Sequence, residues 1–172
     1  MRAFLLVVAG TALRVAAAPC DIYAKAGTPC VAAHSVTRAL FSHFAGPLYA
    51  VRRSSDNATF NVSALASGVA DAAAQDAFCA RDACVILRIY DQTDLKNHLD
   101  VAPGGGARPA PDEPVNATRL AVTLGGARAY AAYFEGKMGY RIDNTTGVAR
   151  GNTSEVIYMV TSGLHANGGC CL

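Results

Sequence analysis

The segment CVILRIYD, residues 84–91, carries the clearest strand signal in the chain. It combines β-branched and aromatic residues in a short apolar run, which is typical of a β-strand in a core. Similar runs follow it and precede it, with Gly, Asn and Pro between them, at residues 47–53, 59–65, 119–124, 127–134 and 155–162. Many short strands with turn residues between them predict an antiparallel all-β domain, a sandwich or a barrel.

Helix signals are few. Residues 35–44 place apolar side chains at helical spacing after Ser35, a possible N-cap, and this predicts one short helix. The Ala-rich residues 68–79 predict a second helical turn. Gly125 and Gly126 predict a two-residue hairpin turn, and residues 101–114 predict a long solvated loop without a phosphate-binding pattern.

The N-terminus has the pattern of a secretory signal peptide. Arg2 is followed by an apolar run that is too short to span a bilayer, and small residues at Ala16 and Ala18 suit a signal peptidase. We therefore expect residues 1–18 to be removed, with Ala17 as the alternative cleavage position, and the mature protein to be extracellular. No later apolar run predicts a membrane span.

Charge excludes a nucleic-acid-binding role. Two of the 15 basic residues, Arg2 and Arg14, lie in the predicted signal peptide, which leaves 13 basic residues against 13 acidic ones. A nucleic-acid-binding surface needs a one-sided excess of basic residues, which this chain lacks. Five N-glycosylation sequons agree with secretion, at Asn57, Asn61, Asn116, Asn144 and Asn152.

The six cysteines predict disulfides, because a secreted chain passes through an oxidising compartment. Cys20 and Cys30 are near neighbours, Cys79 and Cys84 are closer, and Cys170 and Cys171 are adjacent. Six cysteines allow about 15 pairings, and pairing nearest neighbours uses all of them. A zinc site is disfavoured because ligand pairs are usually more closely spaced than Cys20 and Cys30.

Several stretches together resemble one family. PCDIYAKAGTPCVAAHSVTRALFSHFAGPLYAVRR (19–53), GVADAAAQDAFC (68–79), IYDQTDLKNHL (89–99) and the terminal CC occur in this order. They resemble the start of the catalytic domain of glycoside hydrolase family 54, the α-L-arabinofuranosidases B. The resemblance covers nearly all of residues 19–172 and implies a lectin-like, concanavalin-type antiparallel β-sandwich.

The resemblance also implies an activity and a role for the cysteines. Enzymes of this family release terminal α-L-arabinofuranose from arabinan and arabinoxylan with retention of configuration. Their cysteines pair as near neighbours, which implies Cys20–Cys30, Cys79–Cys84 and Cys170–Cys171. The last pair would lie at the sugar-binding pocket, so Cys170 and Cys171 are the predicted substrate-binding residues.

A bond between adjacent cysteines has a physical rationale at such a pocket. Adjacent Cα atoms are about 3.8 Å apart across a trans peptide, whereas ordinary disulfides separate them by about 4.4–6.8 Å. The resulting strained ring is more plausible at a functional site than in a plain scaffold, and it offers a flat sulfur face to a furanose. Two free thiols, or bridges to different partners, are the alternatives. Lipidation would require a cytosolic protein.

The sequence departs from the family pattern in two ways. Asp94, Leu95 and Lys96 stand where the family has glycines, a change expected to reshape a turn without carrying chemistry. The family's catalytic carboxylates, a glutamate in an Asp-x-Glu-Asn stretch and a later aspartate, are expected downstream of Leu172. No catalytic residue is therefore assigned. The main acidic residues present are expected to be structural: Asp71, Asp76, Asp91, Asp94, Glu135 and Glu155.

Three functions remain at this stage. The first is a secreted α-L-arabinofuranosidase acting on arabinose-containing plant cell-wall polysaccharide, of which residues 19–172 are the N-terminal part and are inactive alone. The second is a non-catalytic, lectin-like carbohydrate-binding protein that keeps the Cys pair. The third is a glycosylated interaction protein without a sugar site. None of them requires a cofactor or a metal, and none binds a membrane once the signal is removed.

Overall fold

The structure is a computed structural model and describes residues 18–106 and 108–165. The predicted signal peptide, residues 1–18, falls almost wholly outside this part, and Cys170 and Cys171 lie outside it as well. Two helices and seven strands follow in the order α1 (Pro19–Lys25), β1 (Pro47–Arg53), β2 (Thr59–Ser63), α2 (Ala72–Cys79), β3 (Cys84–Ile89), β4 (Leu99–Val101), β5 (Leu120–Leu124), β6 (Ala127–Ala131) and β7 (Tyr140–Arg141).

The strands of the described chain form two antiparallel sheets. One sheet has the order β2-β1-β3-β4-β7, and the other is the β5-β6 hairpin. CVILRIYD supplies β3, the middle strand of the larger sheet. The hairpin turns at Gly125 and Gly126, whose φ angles of 54° and 83° are strained for residues with a Cβ.

One hydrophobic core joins the two sheets. Leu48 and Val51 of β1 and Ile86 of β3 are fully or almost fully buried, and Ala129 of the hairpin packs in the same cluster. Burying such side chains contributes roughly 1.5–3 kcal/mol each. The core therefore lies between two sheets, and the prediction of an all-β antiparallel sandwich is confirmed.

The helix predicted for residues 35–44 is wrong. Ser35 does accept hydrogen bonds from the N–H groups of Thr37 and Arg38, as an N-cap would. However, the next amides bond elsewhere: Ala39 N–H donates to the Gly68 carbonyl and Leu40 N–H to the Gln92 side chain. Because these amides do not donate to the carbonyls four residues earlier, an α-helix cannot continue, and the segment forms an irregular connection.

The strand predicted for residues 155–162 is also wrong. This segment has no strand partner in the described chain, and its apolar side chains face solvent, with Val156 85% and Ile157 84% exposed. A strand requires a neighbouring strand to satisfy its backbone groups, and the pattern of apolar residues alone does not supply one.

Several other boundaries differ from the prediction. The second, third, fifth and sixth strands are shorter than the predicted runs, because each ends where its partner strand ends. The Ala-rich segment becomes α2, whose N-cap Asp71 accepts a hydrogen bond from Ala74 N–H at 2.9 Å. Helix α1 and strands β4 and β7 were not predicted, and the expected loop begins only after β4 ends at Val101.

Gln75 on α2 connects the helix to β1 and to the segment that lies beside β3 at Ala117. Its side chain is fully buried, accepts a 2.5 Å hydrogen bond from the Tyr49 hydroxyl and donates one of 2.8 Å to the Ala117 carbonyl. Burial raises the pKa of Tyr49, so this phenol stays protonated as a donor. Removing the amide would leave two buried polar groups without a partner.

Gln75→Ala should therefore lower the free energy of unfolding by about 2–4 kcal/mol. Urea unfolding followed by circular dichroism measures the change. Ala77→Gln, at an exposed position of the same helix, is the matched control and should stay within about 0.5 kcal/mol of the parent. Equal stability of the Gln75→Ala variant and the control would show that the buried network does not support the fold.

Candidate functional site

A buried carboxylate lies directly after the central strand. Asp91 is 1% exposed. One of its oxygens accepts hydrogen bonds from the N–H groups of Ala33 (2.9 Å) and Thr93 (3.0 Å). The other accepts from the Thr93 hydroxyl (2.7 Å) and from Asn97 N–H (2.9 Å). Four donors compensate the buried charge, so Asp91 acts as a structural tie rather than as a free acid.

Gln92 holds the segment that crosses over this carboxylate. Its side-chain oxygen accepts from Leu40 N–H at 2.7 Å, its amide donates to the Arg38 carbonyl at 3.2 Å, and its main-chain N–H donates to Ala33. The conformation of residues 33–40 is thus fixed by residues that follow β3, some 50 positions later in the chain.

Asn97 extends the network to a third segment. Its side chain exchanges two hydrogen bonds with the main chain of Thr146, one donated at 2.9 Å and one accepted at 2.7 Å. Its carbonyl accepts from His34 Nε2 at 2.6 Å. Asp91, Gln92, Thr93 and Asn97, hereafter the Asp91 network, therefore join three regions that are distant in sequence.

His98 completes the edge of the network. Its Nδ1 accepts a 3.0 Å hydrogen bond from Asp91 N–H, which requires the neutral ring with its proton on Nε2. Burial and the nearby Arg88 guanidinium lower the pKa of His98, which favours this neutral form. The ring also packs edge-on against Tyr90 at 5.1 Å.

The remaining acidic residues named from the sequence do not form a reactive pair. Asp71 caps α2, Asp76 pairs with Arg128 and accepts from Tyr130, and Glu135 pairs with Arg119 at 3.0 Å. Asp94 and Glu155 are exposed. Retaining glycoside hydrolysis needs two carboxyl groups about 5–5.5 Å apart, one of them a free nucleophile. The engagements of these residues agree with the structural roles expected of them.

Two disulfides fix the edges of the described fold. Cys20 at the start of α1 is bonded to Cys30, and Cys79 at the end of α2 is bonded to Cys84 at the start of β3. Their Cα atoms are 5.6 Å and 5.9 Å apart, within the usual range. No group of three or more His, Cys, Asp or Glu side chains in residues 18–106 and 108–165 is arranged to hold a metal ion.

The segment that leads toward Cys170 and Cys171 is attached to the hairpin sheet by a stack of side chains. The Arg119 guanidinium lies 4.6 Å from the centre of the Tyr133 ring, and the His165 ring lies 4.1 Å from it. His165 Nε2 also donates to the Phe134 carbonyl at 2.9 Å. His165 is the last described residue, so this anchor stands five positions before the predicted substrate-binding cysteines.

The sequon asparagines occupy two kinds of position. Asn57, Asn61, Asn144 and Asn152 are exposed. Asn116 is half-buried, and its side-chain oxygen accepts hydrogen bonds from the N–H and the hydroxyl of Thr118. A glycan is attached to the side-chain nitrogen, which these contacts leave free, so Asn116 differs from the other four in its burial.

A cavity of about 280 Å³ opens beside the Asp91 network. It is bounded by Cys30 and by the aromatic pair Phe41 and His43 on one side. The turn after β3 closes the other side with Gln92, Thr93, Asp94 and Leu95. Sequence reasoning missed both the network and the cavity. The signal available was the cluster of polar residues directly after the most apolar strand, which is unusual unless those residues are buried together.

Comparison with known proteins identifies relatives over almost the whole chain. Residues 19–172 match the family model described as "Alpha-L-arabinofuranosidase B, catalytic". The probable α-L-arabinofuranosidase B of Aspergillus terreus is 51% identical over 171 residues, covering 96% of this chain and 34% of the relative. The α-L-arabinofuranosidase of Hypocrea jecorina is 53% identical over 161 residues, covering 91% and 32%. The chain spans about a third of the length of these relatives.

Solved structures agree with the fold. An arabinofuranosidase complexed with arabinofuranosyl-α-1,2-xylobiose superposes with a TM-score of 0.75 at 48% identity, covering 78% of this chain and 29% of that one. A GH54 α-L-arabinofuranosidase soaked with a cyclic sulfate inhibitor gives a TM-score of 0.76 at 47% identity over the same shares.

The Asp91 network predicts a specific dependence of stability on pH. Burial raises the pKa of Asp91, but the hydrogen bonds from Thr93, Ala33 and Asn97 outweigh it, and the net pKa lies below the ordinary 3.8. A folded-state pKa below the unfolded value stabilises the protein above pH of about 4, and this stabilisation is lost as pH falls through the folded pKa. Asp91→Asn should cost about 2–4 kcal/mol at neutral pH, because an NH₂ group then faces N–H donors.

Urea unfolding of both proteins between neutral and acidic pH tests this. The difference in unfolding free energy should narrow below pH of about 4 as the parent loses its carboxylate. Glu155→Gln, which changes an exposed carboxylate, is the control and should track the parent. If the difference in unfolding free energy between the parent and Asp91→Asn stays constant with pH, the ionised Asp91 carboxylate does not hold the segments together.

Proposed function

The chain belongs to the family of α-L-arabinofuranosidase B catalytic domains, and from that premise we propose that it forms the N-terminal part of a secreted, retaining α-L-arabinofuranosidase. The proposed substrates are terminal arabinofuranosyl residues of arabinan and arabinoxylan in plant cell walls. The observation that carries the proposal is the family match over residues 19–172. The sugar complex of a 48% identical arabinofuranosidase supports the substrate class.

The proposed division of labour follows from the geometry. Retention requires one carboxylate to attack the anomeric carbon while a second protonates the leaving oxygen, after which water releases the sugar. Asp91 is buried and hydrogen-bonded, Asp76 accepts a hydrogen bond from Tyr130, and Glu135 forms an ion pair with Arg119. These three carboxylates are therefore used in structural contacts. We assign this part of the enzyme to support and substrate binding, and we expect the catalytic carboxylates downstream of Leu172.

Secretion is part of the proposal. Residues 1–18 have the composition of a signal peptide. Two disulfides in the described chain suit an oxidising compartment. The exposed sequons at Asn57, Asn61, Asn144 and Asn152 are the proposed glycan positions. No helix in the described residues is both long enough and apolar enough to cross a membrane.

The activity is tested by a chimera. Residues 19–172 would replace the corresponding third of the Hypocrea jecorina enzyme, which is 53% identical. The chimera should release nitrophenol from an aryl α-L-arabinofuranoside, whereas residues 19–172 alone should stay at background, because a hydrolase without its acid and nucleophile loses most of its rate enhancement.

Matched variants make the result specific. Glu135→Gln and Glu155→Gln in the chimera should keep kcat within about threefold of the parent chimera, because neither residue is assigned to chemistry. A folded chimera without turnover would favour the alternative, a non-catalytic lectin-like protein. Turnover by residues 19–172 alone that disappears in either variant would show that the chemistry resides in this part of the chain.

The Cys170–Cys171 pair is the proposed substrate-binding element. Its sulfur atoms cannot act as nucleophiles while they are bonded to each other, since attack requires a thiolate. Replacing both residues with Ala in the active chimera should raise KM more than it lowers kcat, the sign of binding shared by the ground and transition states. Steady-state kinetics measure the split. A double variant that keeps KM and loses only kcat would contradict the role in binding.

A further inference from the structure

We propose that the cavity between Phe41, His43 and the turn at Asp94 and Leu95 binds one neutral sugar unit, as a second carbohydrate site on this chain. The site is separate in sequence from the Cys170–Cys171 pair. It rests on the proposed function for the identity of the sugar, a pentose of an arabinose-containing polysaccharide. Its volume of about 280 Å³ lies just below the roughly 300–1,000 Å³ of pockets that hold drug-sized ligands, which suits a single monosaccharide.

The floor of the cavity is rigid. Gln92 is 6% exposed and its side chain is bonded to Leu40 and Arg38. Thr93 is 7% exposed and donates its hydroxyl proton to Asp91 at 2.7 Å. Cys30 is tied by its disulfide to α1. Because these floor residues are already held in place, they lose little conformational entropy when a ligand binds.

One wall provides an apolar surface. The rings of Phe41 and His43 lie 5.4 Å apart with an interplanar angle of 53°, and Cys30 and Leu95 also line the cavity. Leu95 packs over Gly147, where an added Cβ would come within 2.6 Å of Leu95 Cδ1. A sugar ring has a face of C–H groups that packs against such a surface by dispersion.

The rim of the cavity provides polar side chains that can form hydrogen bonds with the hydroxyl groups of a sugar. Asp94 and His43 are exposed, and within residues 18–106 and 108–165 neither side chain makes a hydrogen bond. An ionised carboxylate has about four lone-pair sites, so it can accept hydrogen bonds from two neighbouring hydroxyl groups of a sugar. Polar groups on one side and an apolar face on the other match the two faces of a sugar.

The charges near the cavity disfavour an anion. The lining contains one carboxylate, Asp94, and no Lys or Arg. Asp21 adds a second carboxylate nearby, since it accepts a hydrogen bond from Ser42 N–H at 3.0 Å and interacts with His43. These carboxylates disfavour phosphate or an acidic sugar, with the exposed Lys96 of the same turn as the opposing charge, whereas a neutral sugar is little affected by either. A small organic cation is the competing ligand that the test must separate.

Asp94 and Leu95 form the outer wall of the cavity. From the sequence, this turn was expected to carry no chemistry. Lys96, the next residue, has a φ of 57°, a left-handed conformation that favours glycine. The proposal gives this turn a role in binding that the sequence alone did not assign to it.

The test uses isotope-labelled residues 19–172 titrated with methyl α-L-arabinofuranoside and followed by amide NMR. Saturable shifts are expected at the amides of Thr93, Asp94 and Leu95, with a Kd on the order of 1–10 mM for so small a ligand. Asp94→Ala and Phe41→Ala should each weaken binding about tenfold. Glu113→Gln, an exposed acidic residue outside the lining, should bind as the parent does.

Three outcomes would overturn the site. The first is the absence of saturable shifts in the parent. The second is unchanged affinity in both the Asp94→Ala and the Phe41→Ala variants. The third is displacement of the sugar by methylammonium at equal concentration, which would identify a cation pocket. Asp94 lies in an exposed turn, so its variant should fold as the parent does even if Phe41→Ala does not.

The same substitution in the chimera separates this site from the proposed activity. Asp94→Ala should raise KM for arabinoxylan about threefold or more and leave KM for the aryl arabinofuranoside unchanged, since only a polymer can occupy two sites. Sugar binding by residues 19–172 with an inactive chimera would refute the activity and leave the site standing. An active chimera with no difference between the two substrates would remove the site and leave the activity standing.

Discussion

A single buried negative charge organises this part of the chain. The Asp91 carboxylate follows the central strand and must be compensated where it is taken out of water. Its four donors come from Ala33, Thr93 and Asn97, and Asn97 in turn holds Thr146. The connection before β1, the turn after β3 and the segment after β7 can therefore take only the conformations that keep this charge satisfied.

This constraint explains which predictions from sequence succeeded. The five runs that became strands, and the glycine turn between two of them, carry their information locally in apolar alternation and turn residues. The helix predicted for residues 35–44 failed because Gln92 and Gly68 take the amides that the helix needed. Strands β4 and β7 are only three and two residues long, too short for a pattern. They form because β4 pairs with the edge of β3 and β7 then pairs with β4.

The candidate sites also differ in how far the sequence predicted them. The structural roles of the acidic residues followed from a family pattern that they do not match, and the contacts of Asp91, Asp76 and Glu135 agree with that assignment. The cavity did not follow from the sequence, because it joins Phe41 and His43 to a turn some 50 residues later. Long-range hydrogen bonds of Asp91, Gln92 and Asn97 bring the two segments together. The polar cluster after β3 signals that these residues are buried, but it does not show which distant segment they contact.

The exposed segment after residue 152 brings these constraints together. Val156, Ile157, Met159 and Val160 are 80–85% exposed. Apolar side chains on both faces are typical of a strand buried between two layers.

The segment nevertheless ends at a fixed point, because His165 stacks on Tyr133 and donates to the Phe134 carbonyl. Its end is thus attached beside the hairpin, and Tyr158 packs against Tyr23 of α1 at 6.0 Å, while these four apolar side chains lack cover from the described residues. The uncovered apolar side chains show why an apolar pattern alone does not define a strand: without a neighbouring strand, the backbone of this segment has no ladder to join.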